Sequence, residues 1–218
     1  MIDRLPVLSQ DEVHEVCQPH YPLLWHTIMD PWERFLEYRE SDENFTGFSE
    51  GETAQWLTIQ ATRRARHLLS GAEGVRFLMP HGKLVIVLQD TLAIAIKKLR
   101  RRFNQKTRRW EIVRSNYLTM RNQSLWNQER GEDFLKFPRL ILGYMFNPEI
   151  TQITPMLAYP RSRRLAVDWA LEIPSQADLH SDNFAPRLLA PTADDQPTFG
   201  FQLSPADDRD EERDTGSE

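Results

Sequence analysis

The chain has 218 residues, 40% hydrophobic, 10% aromatic and 27% charged, with a formal net charge of −5. That is enough apolar material for one sizeable core, which excludes a wholly disordered chain, and no apolar run approaches the ~20 residues of a bilayer span. The single cysteine, Cys17, excludes an internal disulfide framework. With no signal-peptide pattern over residues 1–10, the expected compartment is the cytoplasm.

Charge is unevenly laid out. Residues 1–59 hold three basic and twelve acidic side chains (net −9), residues 60–164 hold twenty-one and seven (net +14), and residues 165–218 hold three and thirteen (net −10). A strongly positive centre between two acidic ends is the most informative feature of the sequence.

The N-terminal third reads as helices. Ser9 with Glu12, Asp30 with Glu33, and Ser49 with Glu52 have capping-box spacing, an oxygen acceptor followed three residues on by a glutamate. Pro31 falls at the first helical position of the second box, where its missing N–H costs nothing. The pattern predicts short helices over 10–17 and 22–29 and longer ones over 31–40 and 50–70. In the last, Ala54, Leu57, Ala61, Ala65 and Leu68 form one apolar stripe, and Trp56, Gln60, Arg63 and His67 form a second, mostly polar one.

From Val75 the period shortens. Residues 75–79 and 84–88 read as a hairpin, 92–99 as a third strand, and 100–109 (RRRFNQKTRR) as a basic loop. A helix is expected over 119–128, capped by Thr119. A second meander follows over 140–146, 151–159 and 165–173, its middle strand marked by Pro155 as an edge or a bulge. The last strand alternates, with Val167, Trp169 and Leu171 on one side and Asp168, Ala170 and Glu172 on the other. The expected fold class is therefore α+β: a helical block over 1–71, then two antiparallel meanders of about six strands around a helix over 75–174, in one domain. Residues 175–218 read as a disordered acidic tail.

No cofactor motif is present, and no cofactor or metal is expected. Lys97, Lys98, Arg100, Arg101, Arg102, Lys106, Arg108 and Arg109, with Arg161, Arg163 and Arg164, are the candidate binding residues. Clustered cations suit phosphates, and Phe103 and Trp110 stand among them for stacking. The partner would be DNA or RNA, an acidic protein, or the chain's own tail; the alternative is a set of solvated turn residues. Asp168, Glu172, Asp90 and Lys97 are the groups a metal-dependent nuclease would need, without its carboxylate–x–lysine triplet. His14, Cys17 and His20 have H-x2-C-x2-H spacing, but Pro19 interrupts the geometry of a zinc site.

Residues 114–128 (RSNYLTMRNQSLWNQ) and 140–174 (LILGYMFNPEITQITPMLAYPRSRRLAVDWALEIP) carry a resemblance. In their rhythm, residues 75–174 are similar to a loosely defined set of uncharacterised bacterial proteins met in prophage and plasmid neighbourhoods. There they stand beside helix-turn-helix regulators of the zinc-peptidase type. The resemblance implies a mobile-element, toxin–antitoxin or phage-defence setting and transfers no functional residue. The sequence thus predicts a non-catalytic regulatory or defence-associated protein that binds a polyanion through its basic centre. A nuclease-like toxin and an interaction module masked by its acidic tail are the alternatives.

Overall fold

The structure, a computed structural model, describes residues 9–79, 83–106, 108–114, 137–160, 167–175 and 178. Within these, helices α1 (Gln10–Cys17), α2 (Tyr21–Ser41), α3 (Glu43–Thr46) and α4 (Glu50–Leu69) precede seven strands. The strands are β1 (Val75–Leu78), β2 (Val85–Leu88), β3 (Leu92–Asn104), β4 (Arg109–Arg114), β5 (Arg139–Phe146), β6 (Ile153–Pro160) and β7 (Val167–Glu172). The α+β expectation holds.

Two capping boxes close as the sequence predicts. Ser9 and Ser49 each accept from the backbone N–H of the glutamate three residues on, and Glu12 and Glu52 reach back to the serines. Both carboxyls consequently lie below the ordinary glutamate range: Glu12 chiefly through the backbone N–H of Ser9, Glu52 chiefly through the Ser49 hydroxyl. The third box does not form. Residues 21–41 are one helix that runs through Pro31, and Asp30 instead accepts from His26 Nδ1 (2.7 Å) and Arg64 Nε (2.7 Å). A mid-helix proline costs about 3 kcal/mol. The buried row Leu24, Ile28, Trp32 and Phe35, which α2 sets against the core, outweighs it, since each fully buried large apolar side chain contributes roughly 1.5–3 kcal/mol.

The sheet has the order β1-β2-β3-β5-β6-β7, with β4 paired to the far half of β3. Every pairing is antiparallel except β3 with β5, which are parallel, so the two expected meanders merge into one mixed sheet. Pro155 lies in an internal strand rather than at an edge, and the bulge falls between Tyr159 and Pro160. The Pro155 carbonyl accepts from Ile173 N–H (3.0 Å), so the missing donor faces β7 at the very end of that ladder and the bonds to β5 are untouched.

The helices cover one face. Ile86, Leu92, Ile94, Ile96, Leu140, Leu142 and Leu157 meet α1, α2 and α4 there, and Tyr144 fastens β5 to α4 by donating to the Ala54 carbonyl (2.7 Å). The second face carries a smaller core of Leu99, Ile112, Ile141, Met156, Ala158 and Ala170, in which the β3–β4 hairpin packs on β5, β6 and β7. The expected helix over 119–128 and nearly all of 175–218 lie outside the described residues.

Candidate functional site

The segment expected as a basic loop is a β-ribbon. β3 has thirteen residues, only those through Lys98 pair with β5, and Leu99–Asn104 pair with β4 in the register Leu99↔Arg114 to Asn104↔Arg109. Arginine-rich sequence looks like a loop because β-propensity reflects a half-buried pleated surface, which these side chains do not need. At about 3.3 Å per residue, the six residues beyond the sheet make a ribbon of about 20 Å.

Its root is anchored and its distal half is exposed. Leu99, Ile112 and Val113 are buried, whereas Arg100, Arg101, Arg102, Phe103, Lys106, Arg108, Arg109 and Trp110 are exposed. The turn is built by Asn104, whose Oδ1 accepts from Lys106 N–H (3.0 Å) and whose Nδ2 donates to Glu111 Oε1 (2.8 Å), and by Arg108 in the left-handed region at φ 51°. Pairing sorts the side chains onto two faces. Leu99, Arg101 and Phe103 lie with Trp110, Ile112 and Arg114; Arg100, Arg102 and Asn104 lie with Arg109, Glu111 and Val113.

Phe103 and Trp110 are cross-strand partners with ring centroids 5.5 Å apart, tilted by 63°, and they remain 46% and 39% exposed. Around them the ribbon's six cations have one ion-pair contact among the described residues, Arg102 to Glu111 at 3.9 Å. Comparison with family models, with curated proteins and with solved structures finds no match to this chain. The site therefore rests on its own geometry.

The two lysines at the ribbon's base diverge. Lys98 faces the helices, ion-pairs with Glu50 in the first turn of α4, and lies over the Phe146 ring (5.2 Å). Lys97 faces the other way, half-buried, and its ammonium is pushed down to about 8 by burial first, then by Arg114 and Lys83. Burial also lowers Lys83 and Arg114. These two residues complete a cationic base beneath the ribbon that the sequence reading passed over. The run Trp110–Arg114, with its aromatic and β-branched residues, was the signal for β4.

Arg161, Arg163 and Arg164 lie outside the described residues. Pro160 and Val167, which bracket them, stand at the end of the sheet where β3 begins, opposite the end at which β3 leaves it. The nuclease set is dispersed: Asp90 sits in the β2–β3 turn with Arg76, while Lys97 and Glu172 are separated by Gly143 and Met156 along one row of the sheet. His14 bonds Tyr21 (2.9 Å), and Cys17 is fully buried with its thiol pushed up to about 12. No group of three or more metal-ligating side chains is found among the described residues. No helix among them is long and apolar enough to cross a membrane.

The polar stripe of α4 meets α2 in an open cleft of about 500 Å³, where Gln60, Arg63, Arg64 and His67 face Asp30, Glu33, Arg34 and Glu37. Trp56 turns away from it into an aromatic cluster with Phe35, Tyr38 and Phe45.

Proposed function

We propose that the protein is a non-catalytic nucleic-acid-binding protein that uses the β3–β4 ribbon as its contact arm. The observation that carries this reading is the exposed Phe103–Trp110 pair set among Arg100, Arg101, Arg102, Lys106, Arg108 and Arg109. Cations alone would serve any polyanion, including an acidic protein or the chain's own 175–218 segment. Exposed rings among cations suit a partner that carries both phosphates and aromatic bases. A regulatory or defence-associated role is part of the proposal and follows only from the resemblance suggested by the rhythm of residues 75–174.

The test is direct titration of the full chain with labelled mixed-sequence RNA and DNA at about 50 mM and about 200 mM salt. Binding that weakens as salt rises, and that polyglutamate competes for poorly, is expected. No binding at either salt, or equal affinity for polyglutamate, overturns the proposal.

A further inference from the structure

We infer that the ribbon selects single-stranded over duplex nucleic acid, with unpaired bases stacking on the Phe103–Trp110 face. This rests on the nucleic-acid reading above and specifies its substrate.

The reasoning starts from what each form of nucleic acid offers. In a duplex the bases are stacked on one another and present only their edges in the grooves, so a protein ring meets no base face unless the duplex is disrupted. In a single strand the base faces are accessible, and every base has one. The ribbon presents ring faces. Phe103 and Trp110 sit side by side across the hairpin, meeting edge to face with an interplanar angle of 63°, so the contact between them engages one face of one ring and none of the other's. Both retain a large exposed fraction although the apolar core of Leu99 and Ile112 begins two residues away on the same ribbon face.

The cations are placed to complement this. Arg101 shares the aromatic face, Lys106 and Arg108 stand at the tip, and Arg100, Arg102 and Arg109 occupy the opposite face. A strand laid across the rings therefore meets Arg101 beside them and Lys106 and Arg108 at the ribbon's end, while the other three cations add to the positive field from behind.

The experiment compares one mixed-sequence DNA oligonucleotide with its annealed duplex at the same salt, using the full chain, Phe103→Ala/Trp110→Ala, and Trp110→Phe. We expect the parent protein to bind the single strand at least about tenfold more tightly than the duplex, with tryptophan quenching. The double alanine variant should lose about tenfold or more in single-strand affinity while duplex affinity stays within about threefold. Trp110→Phe keeps a stacking ring, so it should keep the single-strand preference and lose the quenching. Equal or tighter duplex binding, or a double variant with unchanged single-strand affinity, overturns the inference while leaving the nucleic-acid reading in place. Absence of binding to either form overturns both. Because both rings are exposed, circular dichroism of the variants should match the parent.

Discussion

Leu99 lies directly over Gly143. A Cβ added to Gly143 would overlap Leu99 Cδ1 outright and come 2.7 Å from its Cγ. The absence of a side chain at that point makes room for Leu99 where β3 crosses onto the second face of the sheet. Gly143→Ala should therefore destabilise the fold by about 1–3 kcal/mol through overpacking. Thermal or urea unfolding checks this, and Leu99→Ala in the same chain should recover part of the loss. Additive losses in the double variant would show that the contact is not the cause.

The ribbon's charge predicts a salt signature. Replacing Arg101, Lys106 and Arg108 with Gln removes three exposed cations from the aromatic face and the tip of the ribbon. The slope of log affinity against log salt should become shallower by up to about 2 for a single strand and up to about 3 for duplex DNA, with little dependence on base sequence. A titration series across salt reads this directly, and an unchanged slope would place the phosphates elsewhere.

Lys97 gives a pH prediction with a definite sign. Its ammonium is lowered from 10.5 to about 8, by burial and then by Arg114 and Lys83. Between about 8 and 10.5 the unfolded chain holds a proton at this amine that the folded chain has released, so stability rises with pH across that window. Lys97→Met removes the half-buried charge. The variant should melt higher than the parent at pH 7, and the difference should shrink as pH approaches 10.5. A difference constant from pH 7 to 10.5 would contradict it.

Cys17 should be chemically silent in the folded protein. It is fully buried, and burial holds its thiol near 12 rather than 9. A thiol-reactive chromophore at pH 8 should titrate about one equivalent only after denaturant is added, and rapid native labelling would show that the α1 end opens readily.

How much of this was legible in the sequence follows from the range of the interactions. The Ser9 and Ser49 boxes and the apolar stripe of α4 are local patterns, and they gave two helices close to their observed limits. Pro31 misled because the force that keeps α2 continuous is burial of Trp32 and Phe35 against distant residues, which overrides a local breaker. The ribbon was missed for the converse reason: strand patterning is normally read from a buried face, and β3 beyond Leu99 has little to bury. Its cations stand out in the sequence as a run, and six of them fall on the ribbon. The divergence of Lys97 from Lys98 follows from strand alternation, but Glu50 as the partner of Lys98 depends on a contact between residues 48 positions apart. The parallel β3–β5 pairing is of the same kind, a long-range choice with no local mark.

One feature of β3 carries a mechanical consequence. The same continuous strand is hydrogen-bonded on both sides in the sheet and then forms one edge of the ribbon. The ribbon is thus a cantilever built into the middle of the sheet, not a tether attached to its rim. A load applied at Lys106 would be transmitted along covalent backbone into the ladders with β2 and β5. Bound cargo that is pulled or translocated would strain the protein's own centre before it could swing the arm aside.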